Sequence, residues 1–463
     1  MPAPVTPRIH SRVLALPVGA GLAAVAAVLW LSFQAGGGTT PQAASSPTAP
    51  LVAAASPASS GAPESPTAPG ASASEGGDGT LRGGATTPPS ARPEPSELAP
   101  TPTPTKPGAT PTPSNDETGG APSDLRRLHL AKVLVGGITP KSVVSSQTGL
   151  FFVQNMMYLH TIRVYDRQFH VVKTIRDAVD LSNFGYPQFP GRVRGAPVEV
   201  AFTPDRSTAY VSQYAMFGPG FTHPGDDTCL PSWQVDRGFV YRIDVATLRK
   251  TGVVEVGSTP KFLAVTPDGK RLLVSNWCSG DVSVINLATF QPIARVKVGW
   301  HPRGLAFDAR SNTAYVAVWD LNAVAKIDLR TFKVSYIRNV GANPRHLVMD
   351  PSYRFLYVSL DGDGKIAKVD MATDRVVARV YTGREPRSMA IATDGRSLYV
   401  VNYSSATATK VRTRDMTVLQ TVATNHHPIG ITYDNATHEI WIACYSGTLR
   451  IYQDRLPPAL LYP

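Results

Sequence analysis

The chain has 463 residues, a formal net charge of +11 at neutral pH, 41 prolines and three cysteines. Its length exceeds that of one ordinary domain, and its low cysteine content excludes a small disulfide-rich scaffold. A single long apolar segment excludes a polytopic membrane protein.

The first predicted element is that apolar segment near the N-terminus. Residues 13–33 carry no charged side chain, and Arg8 and Arg12 precede them. A helix of this length spans the ~30 Å hydrocarbon core, and the positive-inside rule places residues 1–12 in the cytoplasm. We therefore expect a single-pass signal anchor. A cleaved signal peptide, which would release a secreted protein, is the alternative.

Residues 34–124 form the second predicted region. They contain 18 of the 41 prolines, no aromatic residue, and eight acidic side chains against three basic ones. Such a segment cannot bury enough apolar surface to offset its chain entropy, so we predict a disordered linker. The total charge is +11, residues 1–33 carry +2 and the linker carries −5, so residues 125–463 carry +14. That excess favours anionic partners as well as solubility.

A repeated proline organises residues 125–463. The last five copies are spaced 42 residues apart, and the first two intervals, of 57 and 63 residues, contain insertions. Alternating apolar residues and intervening turns predict four strands in each unit. Seven such units predict an all-β, seven-bladed β-propeller. The repeat prolines are Pro140, Pro197, Pro260, Pro302, Pro344, Pro386 and Pro428.

A second position keeps register with the proline. Thirteen residues after it stand large apolar side chains, namely Tyr210, Leu273, Tyr315, Tyr357, Tyr399 and Trp441. Strands such as Tyr399-Val400-Val401-Asn402 resemble the YVTN-type β-propeller repeat of YncE-like and surface-layer-like proteins. The resemblance covers residues 125–463. It implies the propeller fold and, from YncE-like relatives, nucleic-acid binding as one function.

The two ends of residues 125–463 predict how the ring closes. The last unit has only three strand-like segments before Pro457-Pro458, whereas residues 128–136 have a fourth-strand pattern without a unit of their own. We expect this N-terminal strand to complete the last blade, leaving only short protected edges.

The two insertions predict which face of the propeller is functional. Residues 176–195 extend the link between blades 1 and 2, and residues 214–238 extend the second loop of blade 2. Both loop classes open on the same face, where long loops on a rigid scaffold usually carry function. The second insertion contains aromatic residues able to stack on bases, namely Tyr214, Phe217, Phe221 and Trp233. Capping of a blade is the alternative role.

A basic ring is predicted on that same face. The residue after the repeat proline is basic in five of seven units, as Lys141, Lys261, Arg303, Arg345 and Arg387. Five cations around one opening attract an anion, and arginine pairs bidentately with phosphate or carboxylate. His301, His346 and His427 stand beside them in the sequence, and Glu385 is expected to neutralise a neighbouring arginine. The alternative is that basic residues are common at this repeat position only because it lies in a solvent-exposed loop.

The cysteines predict one cross-link. Cys229 lies in the blade 2 insertion and Cys278 in the equivalent loop of blade 3, outside the cytoplasm, so we expect them to form a disulfide. Cys444 lies inside a predicted strand and is expected to be a buried free thiol.

Catalytic motifs are weak. The chain has no Cys-x-x-Cys-His, no paired Cys-x-x-Cys and no Gly-x-Ser-x-Gly sequence. We expect no cofactor and no metal site. The main hypothesis is a membrane-tethered binding or scaffold propeller whose basic face binds an anionic ligand or polymer, a glycan, nucleic acid or a protein. The alternative is a lactonase- or lyase-type propeller enzyme acting at the channel mouth. The oligomeric state is left open.

Overall fold

The computed structural model describes residues 120–231 and 234–457. Apart from short 3-10 turns at Ser123–Leu125 and Leu181–Phe184, their regular structure is entirely β. The strands in chain order are β1 (Arg127–Leu134), β2 (Pro140–Ser145), β3 (Leu150–Asn155), β4 (Thr161–Asp166), β5 (Val171–Arg176), β6 (Val179–Asp180), β7 (Arg192–Phe202), β8 (Thr208–Phe217), β9 (Arg237–Asp244), β10 (Arg249–Ser258), β11 (Pro260–Val265), β12 (Arg271–Asn276), β13 (Asp281–Asn286), β14 (Gln291–Lys297), β15 (Pro302–Phe307), β16 (Thr313–Val318), β17 (Ala323–Asp328), β18 (Val334–Ile337), β19 (Pro344–Met349), β20 (Phe355–Leu360), β21 (Lys365–Asp370), β22 (Arg375–Tyr381), β23 (Pro386–Ile391), β24 (Ser397–Asn402), β25 (Thr407–Arg412), β26 (Thr417–Ala423), β27 (Pro428–Tyr433), β28 (Glu439–Cys444) and β29 (Thr448–Arg455).

These strands form seven antiparallel blades, which confirms the predicted seven-bladed propeller. Five blades consist of four consecutive strands each, namely β2–β5, β11–β14, β15–β18, β19–β22 and β23–β26. Blade 2 contains β7–β10 with the short β6 added beside β7. Blade 7 has the order β1-β29-β28-β27, so the N-terminal strand completes the last blade as expected.

The predicted membrane anchor at residues 13–33 lies outside the described residues. Nearly all of the predicted linker at 34–124 does so as well. Within residues 120–231 and 234–457, no helix has the length and apolarity needed to cross a membrane.

The register position 13 residues after the proline holds neighbouring blades together. Trp441 of blade 7 stacks on Phe151 of blade 1 with ring centroids 3.9 Å apart. Tyr399 of blade 6 stacks on Tyr433 of blade 7 at 5.6 Å. Because these rings are almost completely buried, each inter-blade contact removes a large apolar area from water. The repeat in the sequence is therefore a repeat of inter-blade packing.

The inner strands approach one another closely around the central axis. A Cβ atom at Gly304 would lie 2.8 Å from the Cα of His346, and one at Gly430 would lie 2.7 Å from the Cα of Ser142. Real Cβ contacts are essentially never this short, so the backbone of the next blade excludes a side chain at both glycines.

The blade 2 insertions differ from the predicted loops, because part of each lengthens a strand. β7 and β8 extend beyond the usual blade length through the pairs Arg194↔Phe217 and Gly195↔Met216. The ends of the two insertions then pack on each other, with Phe189 stacked on Phe221 at 4.6 Å. Both insertions lie on one face, as expected, because burying these rings draws them together.

A fully buried lysine fastens the closing strand. The Lys410 ammonium on β25 donates to the Ser123 carbonyl at 2.7 Å and the Arg126 carbonyl at 3.0 Å, and it pairs with Asp454 on β29 at 2.6 Å. The Tyr399 hydroxyl donates to the other oxygen of Asp454 at 2.6 Å. One cation therefore joins blade 6, blade 7 and the segment that precedes β1.

We predict that replacing Lys410 with methionine destabilises the propeller strongly. The variant leaves Asp454 as an uncompensated buried carboxylate, for which the expected loss is about 3–5 kcal/mol of unfolding free energy. Denaturant unfolding measures this change. The matched control is Lys132→Met on the exposed part of β1, with an expected change within about 0.5 kcal/mol. Equal stability of the two variants would contradict the fastening role.

Candidate functional site

The residues that surround the start of the inner strands form the candidate site, which we call the mouth. The residue before the repeat proline has left-handed φ angles of 51–58° in blades 3 to 7. Its carbonyl accepts the backbone N–H of the residue 17 positions after the proline, which opens the second loop. This backbone contact repeats at Thr259–Trp277, His301–Trp319, Asn343–Asp361, Glu385–Tyr403 and His427–Tyr445.

The five predicted ring cations come together at the mouth. Lys141, Lys261 and Arg345 are only 5–8% exposed. Burial lowers the pKa of Lys141 well below its ordinary value, and Arg303 adds to this shift. Burial also lowers the pKa of Arg345, with further lowering from Arg303 and Arg387. The mutual repulsion means that cations from different blades face one another.

Carboxylates neutralise three of the five cations. Lys261 pairs with Asp227 from the blade 2 insertion. Asp361 lies 3.8 Å from Arg345 and 3.3 Å from Arg387, and Glu385 lies 2.8 Å from Arg387. The ring is therefore less positive than its sequence suggests, and Glu385 neutralises one arginine as expected.

Two cations of the mouth keep no such partner. Within the part of the chain that the structure describes, neither Lys141 nor Arg303 has a carboxylate within 4.0 Å or a hydrogen-bond acceptor. The Arg303 guanidinium instead lies 5.5 Å from the centre of the Trp277 ring. The buried Nε1 of Trp319 also lacks an acceptor. Donors at the mouth thus exceed the acceptors that the chain supplies.

Aromatic rings alternate with the cations. Lys261 Nζ lies 4.3 Å from the ring centre of Tyr214 and 5.0 Å from that of Trp277. The Arg387 guanidinium lies 4.1 Å from the centre of the Tyr403 ring. Such cation–π contacts hold the side chains in place without neutralising them. The mouth therefore offers both positive charge and flat apolar faces.

Lys261 is the most enclosed cation. Burial lowers its pKa to about 7, while Asp227 opposes and Arg303 adds to the shift. Partial burial of Asp227 opposes its ionisation, but Lys261 and Arg303 keep its pKa below the ordinary value. The Tyr214 hydroxyl donates to the same carboxylate at 3.0 Å. Since the side chain of Asp227 is 71% exposed, it covers Lys261 from the solvent side.

The three predicted histidines have different positions. His301 stacks on Trp277 at 4.1 Å and lies 2.8 Å from Asp320. His427 is exposed and stacks on Tyr403 at 4.4 Å. His346 lies deeper, and burial, Arg303 and Lys141 lower its pKa to about 3. The imidazole of His346 is therefore neutral at physiological pH, and its buried Nδ1 lacks a hydrogen-bond partner.

The predicted insertion aromatics do not form one surface. Tyr214 reaches the mouth beside Lys261. Phe217 ends β8 with the Arg194 guanidinium 5.7 Å from its ring centre, and Phe221 packs into the apolar cluster of the insertions. Trp233 lies outside the described residues. Packing of the two insertions on each other thus occupies Phe221.

The predicted disulfide between Cys229 and Cys278 is confirmed, with Cα atoms 5.1 Å apart. It fixes the blade 2 insertion to the second loop of blade 3. The indole Nε1 of Trp277 donates to the Asp227 carbonyl at 3.2 Å in the same place. The disulfide therefore holds Asp227 over Lys261. The remaining cysteine, Cys444, is buried and free.

Sequence reasoning missed two kinds of mouth residue. The position 17 after the proline supplies Tyr214, which was predicted as an insertion aromatic, and five further residues that the same 42-residue register could have identified, namely Trp277, Trp319, Asp361, Tyr403 and Tyr445. Asp227 was not, because it lies in an insertion without counterparts in other blades. Among the described residues, no group of three or more His, Cys, Asp or Glu side chains is arranged to hold a metal ion.

Comparisons with known proteins support the fold. Residues 345–438 match the model of the cytochrome D1 heme domain family, which is well under half of the chain. Hydrazine synthase of Kuenenia stuttgartiensis is similar with a TM-score of 0.54 at 16% identity, covering 70% of this chain and 98% of that chain. A chain of a mitotic checkpoint complex has a TM-score of 0.57 at 14% identity, covering 71% and 93%. A search of curated proteins found no match. The chain is a seven-bladed β-propeller.

We predict that replacing both Cys229 and Cys278 with serine lowers the unfolding free energy by about 2–4 kcal/mol, because the unfolded chain gains freedom. Denaturant titration with and without a thiol reductant measures this effect. Reductant is expected to destabilise the wild-type protein and to leave the double variant unchanged. A wild-type protein insensitive to reductant and as stable as the variant would contradict a stabilising cross-link.

Proposed function

We propose that this propeller is a binding module whose mouth takes a small ligand with a carboxylate or phosphate group. The observation that carries the proposal is the excess of donors, with Arg303 and Lys141 lacking acceptors among the described residues. A charged donor without an acceptor in the chain is free to bind an anionic ligand, and charge-assisted hydrogen bonds of this kind are strong.

The depth of the cations favours a small ligand over a polymer. The side chains of Lys261, Arg345 and Arg387 are 4%, 9% and 18% exposed. Nucleic acid and acidic polymers bind through many accessible cations that each neutralise a backbone charge. Recessed cations can contact one anionic group that enters the mouth. They are poorly placed to contact the successive charges of an extended polymer backbone.

The acids of the mouth favour binding over the lactonase- or lyase-type alternative. Asp227, Asp361 and Glu385 are engaged in ion pairs with Lys261, Arg345 and Arg387. A general base must reach a substrate proton, and these carboxylates face cations of the chain instead. Their role in the proposal is to keep a crowded cationic ring folded.

A second candidate ligand is a tetrapyrrole with carboxylate side chains, favoured by the family match over residues 345–438. Arg345 and Arg387 lie in the matched segment and suit carboxylates. His346 offers a neutral imidazole with an unpartnered buried nitrogen, the kind of ligand that haem iron takes. An iron tetrapyrrole would supply redox chemistry, and the residues of this chain would bind and orient it.

We also propose that the propeller acts outside the cytoplasm, attached to the membrane by residues 13–33, and that its repeat is of the YVTN type. The apolar anchor sequence and the Cys229–Cys278 disulfide support this location, since disulfides persist in oxidising compartments. Carbonate-washed membranes of cells that express the full chain are expected to retain the protein. Deletion of residues 1–33 is expected to abolish this retention, and equal retention of both forms would contradict the anchor.

We predict that Arg303→Gln weakens binding of citrate or inorganic phosphate about tenfold, the effect of roughly 1.4 kcal/mol for a lost charged hydrogen bond. Calorimetry on the full chain measures the affinities. This substitution leaves no acid unpaired, because Arg303 has no ion pair in the described chain. The matched control is Lys297→Gln. The Lys297 side chain is 76% exposed and lies outside the mouth, so this variant is expected to bind with the affinity of the wild type.

Three outcomes of this titration separate the ligand classes. An oligonucleotide that binds with steep salt dependence and equally to both variants would replace the small anion with a polymer. A shifted absorbance spectrum of added haem that is lost in His346→Ala would favour the tetrapyrrole. Absence of anion binding by the wild-type protein would refute the small-anion proposal.

A further inference from the structure

A groove lies beside the mouth, between the loops of blades 4, 5 and 6. Its volume is about 490 Å³, and sites for small ligands range from roughly 300 to 1,000 Å³. Asp361 and Glu385 line the groove and also pair with Arg345 and Arg387, so the groove begins just outside the cationic ring. The side chains that decide its chemistry are Asn343, Asp361, Asp363, Tyr381, Arg384 and Glu385.

One wall of the groove is a tyrosine ring that is exposed and yet held in place. Tyr381 is the last residue of β22 and is 57% exposed. Its ring lies against the backbone of Gly364, where an added Cβ atom would come within 2.7 Å of the ring carbon Cε2. The ring therefore presents a flat apolar face whose position is set before a ligand arrives, and little conformational freedom is lost on binding.

Polar groups lie next to this ring. One oxygen of the Asp363 carboxylate accepts the backbone N–H of Ala342 at 2.9 Å, and its other oxygen has no donor among the described residues. The amide oxygen of Asn343 lies over Gly362, where an added Cβ atom would come within 2.5 Å of it. Trp319 also lines the groove, and its buried Nε1 lacks an acceptor within the described chain. The groove thus offers several acceptors and a donor beside an apolar face.

The charges of the groove cancel. Three carboxylates line it, namely those of Asp361, Asp363 and Glu385. The Arg384 guanidinium lines it as well, and the two ring arginines Arg345 and Arg387 lie behind it in ion pairs with the carboxylates. Three carboxylates and three guanidiniums leave no formal net charge. A small anion is therefore not attracted here as it is at the mouth, and a neutral ligand suits the groove.

The equivalent groove between blades 4 and 5 has a different chemistry. It is formed by residues 42 positions earlier and has a volume of about 350 Å³. There Asn339 replaces the tyrosine, Leu321 replaces the second-loop carboxylate and Ala342 replaces the guanidinium. Grooves beside the mouth thus arise from the repeat, and of these two, the larger combines an aromatic face with hydrogen-bonding groups.

We propose that the larger groove binds a short neutral saccharide. A pyranose ring presents C–H bonds on its faces, which pack on an aromatic ring such as that of Tyr381, and hydroxyl groups around its edge. The hydroxyl groups donate to the oxygens of Asp363 and Asn343, and a sugar oxygen accepts from Trp319 Nε1. This site lies outside the unpaired cations of the mouth and does not rest on the proposed function.

The ion pairs favour a sugar over an organic ammonium ion, which aromatic rings and carboxylates also bind. Glu385 already lies 2.8 Å from Arg387, and Asp361 lies 3.8 Å from Arg345. Arg384 adds a further cation to the lining. A cationic ligand would therefore meet little uncompensated negative charge, whereas a hydroxyl group needs only a free lone pair on an oxygen atom.

Saturation-transfer NMR on the full chain tests this inference, in a buffer without glycerol or sugar detergents. The probes are maltotriose, cellotriose, mannotriose and triacetylchitotriose at millimolar concentration, and at least one of them is expected to bind saturably. Tyr381→Ala is expected to weaken that binding about tenfold because the aromatic face is lost, whereas Tyr381→Phe is expected to stay within about twofold of the wild type.

The matched control is Trp300→Ala, which removes another exposed aromatic side chain, 50% exposed, from the link between blades 3 and 4. It is expected to keep the saccharide affinity of the wild type, and an equal loss in Trp300→Ala and Tyr381→Ala would overturn the proposed site. Since Tyr381 lies outside the mouth, Tyr381→Ala is also expected to keep its affinity for citrate. Thermal unfolding of each variant verifies that it is folded.

The outcomes separate this site from the anion site of the mouth. A protein that binds citrate and none of the four saccharides would overturn the saccharide site and leave the proposed function intact. A protein that binds a saccharide and no citrate would do the reverse. Binding of putrescine in place of the saccharides, with loss in Tyr381→Ala, would overturn the sugar in favour of an organic cation.

Discussion

The structure depends on a single electrostatic constraint, the crowding of like charges where the inner strands begin. A repeat that places a basic residue after the proline in five of seven units brings cations from separate blades into one small, largely buried volume. The ring tolerates this because carboxylates from several sources reach the same volume. Asp361 and Glu385 come from the repeat itself, whereas Asp227 arrives on an insertion fixed by a disulfide. The blade 2 insertion is therefore an electrostatic component of the ring.

Much of the fold was predictable, because packing between blades repeats with the sequence. The 42-residue register identified the position of Trp441, whose aromatic side chain packs between two blades. The unpartnered fourth-strand pattern at residues 128–136 identified the strand that closes the last blade. Both follow from the period-two alternation of buried positions. A position that recurs in every unit has the same structural environment in each blade, so a single sequence shows several independent examples of the residues that suit it.

The site was less predictable for the opposite reason. The five cations were found because they occupy one register position, but their partners occupy others. Asp227 lies in a unique segment, so no period indicates where it goes, and only the fold brings it to Lys261. Phe221 was expected on the surface, yet the insertions bury it against each other. Single-copy segments follow tertiary packing, which a repeat analysis does not contain.

The fastening of the N-terminal segment also has a mechanical consequence. Ser123 donates to Asp394 in the turn between β23 and β24, at the end of the inner strand opposite to Pro386 and hence opposite to the mouth. Ser123 therefore lies at the face of the ring opposite to the mouth. A load applied at Ser123 meets the bonds of Lys410 to the Ser123 and Arg126 carbonyls before it reaches the ladder of β1 and β29. The described N-terminal segment is thus held by a buried ion pair on the side of the ring away from the mouth.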